Sequence, residues 1–274
     1  MFCVILLILY IISFTILDVK IFNNKYIPTK LVYKELPEME KLNKDCSLKY
    51  LEFHNKFKHQ SLFFLEFGKK VIQGTKFTIE AIILFSIQLA YYKYTNKIEP
   101  ICNISHTRNF QMGSTAYHRA TTRESSNFVK IMADYKAPRE LKLRLGVEAS
   151  KILNADLKDA YNGKSVNGHI HGLLSVLKPN EEVPKLYKNE LLIKSTIYRI
   201  FTRQVDNDSI LLSCSPLYSC SLEDSIGLCY IIKENSIQFF VTSVDMDVDK
   251  FIDYLVMSLR ELKLLNFSKD YSRY

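Results

Sequence analysis

The chain has 274 residues, of which 47% are hydrophobic, enough to build a sizeable core in one large domain or two unequal ones. Eight glycines and seven prolines are too few for a low-complexity or disordered chain, and no solenoid repeat is present. The net charge of +8 suits an anionic partner such as phosphate, nucleic acid or a membrane surface. Chains rich in Tyr, Lys and Asn are commonly basic for compositional reasons, so charge alone selects no partner.

The cysteines are scattered along the chain, and none forms a C-x-x-C pair or lies near paired histidines at zinc spacing. Free thiols in a chain of this length are typical of a reducing compartment, so we expect an intracellular protein. The cysteines are Cys3, Cys46, Cys102, Cys214, Cys220 and Cys229.

The first segment of the chain, residues 2–17, is apolar apart from Ser13 and Thr15. It is shorter than the roughly 20 residues that a membrane helix needs. No basic residue precedes it, and no cleavage site of small residues follows it. Both a signal anchor and a buried core segment fit this pattern, and we expect the core segment and no membrane span.

The next elements are a connector and two helical segments. Residues 18–45 mix charge with prolines and form the connector, and residues 46–67, rich in Leu, Phe and His, are predicted to be helical. Thr78 is a good helix N-cap with Glu80 in the first turn. The almost wholly apolar run at residues 81–92 predicts that this second helix is buried on most sides.

Two more helices are predicted in the middle of the chain. Residues 122–135 form the shorter one. Pro138 suits the first turn of the longer one, which carries apolar residues at helical spacing as far as Ala160. Gly163 and Gly168 bracket its end.

The C-terminal part of the chain changes to strand patterns and then to a closing helix. Residues 210–215 alternate like a strand, and residues 227–233 and 236–243 form a predicted hairpin. Apolar residues from Val248 to Leu262 recur every three or four positions, which predicts an amphipathic helix. These elements indicate an α/β fold of the mixed α+β, two-layer kind.

Common catalytic motifs are absent from the chain: it has no P-loop, Rossmann glycine pattern, H-E-x-x-H or G-x-S-x-G. His169 and His171 form an H-x-H pair that, on a strand, could hold a metal. No acidic or thiol ligand has a suitable spacing, so one packed and one surface histidine is the favoured interpretation. We therefore expect no metal site.

Two further patterns each have a functional and a structural interpretation. Lys69, Lys70 and Lys76 precede the helix capped by Thr78, where they can receive phosphate or simply form a solvated charged surface. Ser213-Cys214-Ser215 ends a predicted strand, where its hydroxyls can stabilise an oxyanion or be ordinary strand serines. These patterns alone do not select a function.

Five segments occur in a fixed order along the chain, at residues 67–93, 107–119, 166–173, 212–215 and 227–230. They read F-G-K … Q-L-A-Y-Y-K, T-R-N-F-Q-M-G-S-T … R, V-N-G-H-I-H-G-L, L-S-C-S and G-L-C-Y. In order and spacing they resemble F-G-K … Q-L-A-Y-Y-R, S-x-R-x-F-x-x-G-R-T-x-x-x-R, V-D-R-H-L-x-G-L, L-S-T-S and G-V-C-Y. These motifs belong to the choline/carnitine O-acyltransferase family, which includes carnitine acetyltransferase and choline acetyltransferase.

The resemblance implies two mixed α/β lobes, similar to chloramphenicol acetyltransferase, with an active-site tunnel between them. Coenzyme A enters from one end, and carnitine or choline enters from the other. A histidine of the first lobe acts as general base on the acceptor hydroxyl, which attacks the thioester, and a serine steadies the oxyanion. Coenzyme A is then a cosubstrate, and no permanent cofactor or metal is needed.

On this resemblance, residues 1–35 are the end of the first lobe and residues 36–274 are the lobe that binds CoA and acceptor. Counting back from Lys69 places the catalytic histidine shortly before Met1, so we expect this chain to lack it. A positioned base contributes about 10²- to 10⁴-fold to rate, so we expect very low turnover by this chain alone. None of the other histidines matches the position: His54, His59, His106, His118, His169 and His171.

The CoA site implied by the resemblance is only partly kept. Lys69 occupies the position of the first lysine that binds the CoA phosphates, and Gln73 replaces the second, with Lys70 and Lys76 nearby. Glu80 replaces an aspartate at the far end of the same segment. Because a basic side chain favours phosphate, we expect CoA binding to be retained but weakened.

The acceptor site implied by the resemblance is also altered. Thr115 keeps the hydroxyl that contacts the acceptor, and Ser213 and Ser215 keep both serines of L-S-T-S, with Ser215 as the expected oxyanion residue. Cys102 stands where the family has an acceptor-binding tyrosine. The loop between Ser215 and Gly227 is short and lacks the aromatic segment near the trimethylammonium group, which removes a cation–π contact.

Gly168 stands where carnitine enzymes place an arginine against the carnitine carboxylate. Choline enzymes have an uncharged residue there, because choline has no carboxylate. A buried carboxylate without a cationic partner is costly. Gly168 therefore argues against ordinary carnitine recognition without establishing choline.

Three interpretations follow from these features. The chain is an incomplete part of an active acyltransferase, a degenerate relative that binds acyl-CoA or a protein without catalysis, or a protein anchored through residues 2–17. The changes at Cys102 and Gly168 and the short loop between Ser215 and Gly227 motivate the second, because incompleteness alone would not alter internal positions. We expect a monomer that binds acyl-CoA and a small hydroxylated quaternary amine, and no nucleic acid, since aromatic and basic residues do not interleave.

Overall fold

The structure, a computed structural model, describes most of the chain. Three expectations fall outside the described part: the apolar segment at residues 2–17, the lobe boundary at residue 35 and the strand at residues 210–215. The described residues are 37–113, 115–205 and 223–267.

The chain divides into two compact units, residues 1–51 and 52–274. Within the described part, the first unit consists of the greater part of one helix, α1 (Pro37–His54). The second unit contains a six-stranded sheet and the remaining described helices. The fold is therefore mixed α/β, as the sequence predicts.

The second unit contains six strands and seven helices within the described residues. The strands are β1 (Lys58–Phe64), β2 (Ile101–His106), β3 (Thr115–Arg119), β4 (Ile200–Gln204), β5 (Ile226–Ile232) and β6 (Ile237–Ser243). The helices are α2 (Lys69–Ile72), α3 (Ile79–Thr95), α4 (Arg123–Ala133), α5 (Arg139–Tyr161), α6 (Val166–Ser175), α7 (Glu190–Thr196) and α8 (Val248–Phe267), with a 3-10 turn at Lys185–Lys188.

The strand order across the sheet is β1-β6-β5-β4-β2-β3. Strands β2, β4 and β5 run parallel, and the other neighbouring pairs are antiparallel. The parallel strands therefore end at one edge of the sheet, at His106, Gln204 and Ile232, and β3 begins there at Thr115. We call this the carboxyl edge.

Helix α3 is the centre of the core, as its apolar sequence predicts. The Thr78 hydroxyl caps it by accepting a hydrogen bond from the Ala81 amide at 3.3 Å. All residues from 81 to 91 are buried, since α8, α4 and α5 pack around this helix. Burial of such apolar surface contributes about 25 cal/mol per Å², which makes α3 the main apolar support of the sheet.

The other predicted elements agree with the structure at most positions. The Thr122 side chain caps α4 in a capping box with Ser125, and α5 begins directly after Pro138. Gly163 follows α5 with a φ of +70°, a left-handed conformation that favours glycine. The hairpin of β5 and β6 and the closing helix α8 are also confirmed.

Three sequence predictions are wrong. The connector expected over residues 18–45 is helical from Pro37 onwards, as part of α1. The single helix expected over residues 46–67 ends at His54, and β1 follows, because its backbone pairs with β6 while Leu62 and Phe64 pack against the core. His169 and His171 lie on helix α6 and both are exposed, so the favoured interpretation of one packed and one surface histidine is wrong. Residues two apart on a helix point in different directions. In the described part of the chain, no group of three or more His, Cys, Asp or Glu side chains could hold a metal ion.

Among residues 37–113, 115–205 and 223–267, no helix combines the length and apolar character that crossing a membrane requires. Helix α3, the most apolar of them, owes its composition to burial within the protein.

Two helical glycines predict opposite effects of added volume. A Cβ at Gly146 would lie 2.5 Å from the Phe77 ring and 2.8 Å from that of Phe128, whereas a Cβ at Gly172 would meet nothing within 4 Å. We expect Gly146→Ala to lower the free energy of unfolding by about 1–3 kcal/mol, since overpacking costs that much. Gly172→Ala should raise it by up to about 1 kcal/mol through helix propensity. Urea denaturation of both variants would check this, and equal stabilities would contradict it.

His118 predicts a loss of stability in acid. This residue of β3 is buried, and burial lowers the pKa of its imidazole from 6.5 to about 4. Between these values the unfolded chain takes up a proton that the folded chain does not, so the free energy of unfolding falls as the pH falls. The loss should reach about 3 kcal/mol below pH 4. Urea denaturation of the wild type and of His118→Phe between pH 7 and pH 4 measures it. A profile equally steep in the variant would contradict this assignment.

Candidate functional site

Thr115, the residue expected to contact an acceptor, lies at the carboxyl edge. It is the first residue of β3 and pairs directly with His106, the last residue of β2. Two grooves meet at its exposed side chain. We call them the strand-end groove and the α6 groove.

The strand-end groove lies across the ends of β2 and β4. His106 packs its ring against that of Tyr161 with centroids 5.6 Å apart, which joins the end of α5 to the sheet. Arg108 and Arg203 give the groove its positive charge, and no lining residue is a carboxylate. The residues that line the groove are Ile104, Ser105, His106, Arg108, Thr115, Tyr161, Arg203, Gln204 and Val205.

The α6 groove lies between the start of β3 and helix α6. Gly168 lines it together with Thr115, so the structure brings together these two positions, which lie far apart in sequence. A Cβ at Gly168 would meet nothing within 4 Å, and this position is therefore open to a larger side chain. The residues that line the groove are Thr107, Thr115, Ala116, Tyr117, Gly163, Ser165, Gly168, His169, Gly172, Leu173 and Val176.

Arg119 fixes α6 beside β3. Its guanidinium donates to the Ser195 hydroxyl at 2.9 Å, to the Asn167 side-chain oxygen at 3.3 Å and to the Tyr198 hydroxyl at 3.3 Å. The Ser165 hydroxyl donates to the Tyr117 carbonyl at 2.8 Å, directly at the start of α6. These bonds place Gly168 next to Thr115. Arg119 belongs to one of the sequence motifs, but the sequence did not indicate this role.

The lysines expected to bind CoA phosphates divide between two places. The Lys69 amide donates to the Lys233 carbonyl at 2.9 Å and the Lys70 amide to the Glu234 carbonyl at 3.0 Å, so α2 is docked on the β5–β6 hairpin at the carboxyl edge. Gly68 permits this docking, because a Cβ there would lie 2.3 Å from the Lys233 carbonyl. Gln73 is exposed at the end of α2.

Lys76 lies on a different surface from Lys69. Its amide donates to the Asn266 side chain at 3.1 Å, and its side chain lines an open groove along the outer face of α5. That groove contains Arg144 and Lys151 but also Glu140 and Glu148, so its charges largely balance. Of the predicted lysines, Lys69 and Lys70 are therefore the pair at the carboxyl edge.

Glu80 lies in the first turn of α3, and its charge acts on Tyr230 of β5. Burial, and then the charge of Glu80, raise the pKa of the Tyr230 hydroxyl, and Tyr161 adds to the shift. This hydroxyl is buried and has no hydrogen-bond partner among the described residues. Tyr161 also lines the strand-end groove.

Cys102 lies away from both grooves. It is buried near the start of β2, opposite Arg119 of β3 and Phe201 of β4, and it lines neither groove. Burial raises the pKa of its thiol to about 12, so the thiolate is not populated at neutral pH. The structure thus gives Cys102 a packing position and no chemical role.

Other predicted site residues lie outside the described part of the chain. These are Ser213 and Ser215, the expected acceptor and oxyanion residues, and the short loop that follows them. Sequence reasoning did not identify His106 as a groove residue and did not consider Arg203. The available signal was weak, since Arg203 lies in a short strand whose register only the pairing with β2 and β5 reveals.

Comparison with known proteins identifies relatives along most of the chain. The family model described as Choline/Carnitine o-acyltransferase matches residues 18–257. Choline O-acetyltransferase of Sus scrofa is 25% identical over 79% of this chain and 34% of the relative. The mitochondrial carnitine O-acetyltransferase of Saccharomyces cerevisiae is 27% identical over 66% of this chain and 27% of the relative.

Among solved structures, a chloramphenicol acetyltransferase aligns with 86% of this chain and 100% of its own at a TM-score of 0.40 and 11% identity. The chain spans about a third of the length of the curated relatives named above. The family model nevertheless covers far more than half of the chain. The chain therefore belongs to the choline/carnitine O-acyltransferase family.

Proposed function

We propose that this chain forms the CoA- and acceptor-binding part of an acyl-CoA-dependent O-acyltransferase. The reaction moves an acyl group between the sulfur of coenzyme A and the hydroxyl of carnitine or choline. Coenzyme A acts as a cosubstrate and leaves after each turnover. The general base comes from outside the described residues.

The observation that carries the proposal is the placement of both candidate subsites along one edge of the sheet. Lys69 is docked on the hairpin that follows β5, and Thr115 begins β3, three strands away. At about 4.8 Å per strand the two positions are separated by about 14 Å. Coenzyme A is an elongated molecule with phosphates at one end and a thiol at the other, so its thioester can lie near Thr115 while its phosphates lie near Lys69.

The CoA end of this arrangement rests on Lys69 and Lys70. Ammonium groups form charge-assisted hydrogen bonds with phosphate oxygens, about twice as strong as neutral ones. Gln73 adds no charge, and the carboxylate of Glu80 repels phosphate from the start of α3. We therefore expect CoA binding to be measurable but weaker than at a site with lysine at both positions 69 and 73.

The acceptor end rests on Thr115, whose hydroxyl can hold the acceptor oxygen beside the thioester. In the transfer, the acceptor hydroxyl loses its proton to the base and attacks the thioester carbonyl carbon. The carbon–sulfur bond breaks, and the thiolate takes up the proton from the base. Ser215 is the expected donor to the oxyanion, and this role stays a prediction.

A second candidate function is binding of acyl-CoA without turnover. The glutamine at position 73, the buried Cys102 and the glycine at position 168 favour it, because each removes a group on which the family relies. In this case the chain would bind CoA at the same edge but form no product.

Titration of the purified chain with CoA in a calorimeter tests the proposal. We expect binding below millimolar concentration, and Lys69→Ala should weaken it about tenfold, the effect of losing one hydrogen bond to a charged group. Lys130→Ala, which removes an exposed lysine from α4, is the matched control and should leave the affinity unchanged. No binding at millimolar CoA, or equal loss in both variants, would overturn the proposal.

An assay for product separates the two candidate functions. CoA-saturated protein is incubated with acetyl-CoA and either carnitine or choline, and acetylated product is measured by mass spectrometry. Product above the rate of a Thr115→Ala variant supports transfer. Because the general base comes from outside the described residues, the assay is repeated with imidazole added as an external base. Tight CoA binding with no product in its presence supports the binding role.

A further inference from the structure

The two grooves that meet at Thr115 differ in charge. No lysine or arginine is among the residues that line the α6 groove, where Gly168 lies. The strand-end groove contains Arg108 and Arg203 and no carboxylate. A carboxylate held beside Thr115 would therefore meet cations on the strand-end side only.

The pairing register places Arg203 on the same face of the sheet as Thr115. Arg203 is opposite Ile104 of β2, and Ile104 is opposite Tyr117 of β3, so these three side chains share one face. Thr115 lies two residues from Tyr117 along β3 and points to that same face. Arg203 and Thr115 are two strands apart, about 10 Å, and two residues apart along the strand direction, about 7 Å. Their Cα atoms are therefore about 12 Å apart, and an arginine side chain spans more than half of that distance.

Arg203 is exposed and forms no ion pair with any aspartate or glutamate of residues 37–113, 115–205 or 223–267. Arg199, by contrast, forms an ion pair with Glu99 and so contributes to the fold. Arg203 has no comparable structural partner there. Its guanidinium is therefore available for a ligand in the groove.

We propose that Arg203 binds the carboxylate of an acceptor whose hydroxyl lies at Thr115, in place of the arginine that is absent at position 168. This inference rests on the proposed function and deepens it. A guanidinium matches a carboxylate with two parallel hydrogen bonds, which fixes its orientation as well as its charge. The acceptor class is thus a hydroxy acid, with carnitine as one member, and choline is disfavoured.

The open space at Gly168 is consistent with the carboxylate-binding cation being supplied by β4 instead of α6. A Cβ there would meet no neighbour within 4 Å, so the glycine is not required by close packing at that atom. The α6 groove can hold part of the acceptor without charge pairing. The carboxylate is then directed to the opposite side of Thr115, towards β4.

Three ligands separate the contribution of the carboxylate from that of the quaternary ammonium. Carnitine has a hydroxyl and both charged groups, 3-hydroxybutyrate keeps the hydroxyl and carboxylate, and choline keeps the hydroxyl and ammonium. Their affinities for the CoA-saturated chain are measured by calorimetry. We expect carnitine and 3-hydroxybutyrate to bind more tightly than choline, and Arg203→Gln to weaken both about tenfold while choline is unchanged.

Two further variants make the test specific. Lys130→Gln removes an exposed charge from α4 and should alter none of the three affinities. The double variant Gly168→Arg with Arg203→Gln places a cation in the other groove at Thr115, and it should restore carnitine binding. Unchanged thermal unfolding of Arg203→Gln shows that the exposed substitution leaves the fold intact.

Several results would overturn the inference. Equal or absent binding of the three ligands to the wild type would show that the carboxylate does not determine acceptor binding. An equal loss of choline affinity in Arg203→Gln would show the same. A loss of CoA affinity in Arg203→Gln, with carnitine unchanged, would assign the groove to a CoA phosphate. These results leave the proposed function standing if the wild type binds CoA, whereas failure to bind CoA overturns the proposed function itself.

Discussion

The parallel pairing of β2, β4 and β5 brings three strand ends to one edge of the sheet, and each candidate subsite uses that edge. Thr115 begins the strand next to β2, and Lys69 is held on the turn that follows β5. Parallel strands need their faces covered, and β5 is buried along its whole length. The burial of α3 and β5 thus determines where the functional side chains lie.

Helix α6 is attached to this sheet in a different way. It has no buried residues, and polar bonds hold it: the bond from Arg119 to the Asn167 side-chain oxygen, the bond from Ser165 to the Tyr117 carbonyl, and the bond from the Tyr187 hydroxyl to the Ile170 carbonyl at 2.7 Å. Such bonds fix an orientation without close apolar packing. A position such as Gly168 can therefore change its side chain at little cost to the fold.

The sequence predicted the elements whose signals are local. The Thr78 cap with its apolar helix, the β5–β6 hairpin and the amphipathic α8 all follow from spacing within one segment. Strands β2 and β4 are short, and partners distant in sequence stabilise them, so no local pattern marked them. Thr115 and Lys69 lie in local sequence motifs and were therefore predicted as site residues. His106 and Arg203 are recognised as groove residues only from the register of strand pairing.

The position of Arg203 also bears on how a carboxylate can be recognised in a site of this kind. What the chemistry requires is a cation at a fixed distance from the acceptor hydroxyl, and the element that supplies it is free to differ. Strand β4 has a paired neighbour on each side, whereas α6 rests on side-chain hydrogen bonds. A side chain on the more rigid element is placed more accurately. Moving the cation from α6 to β4 therefore preserves the charge interaction and removes its dependence on the contacts that hold α6.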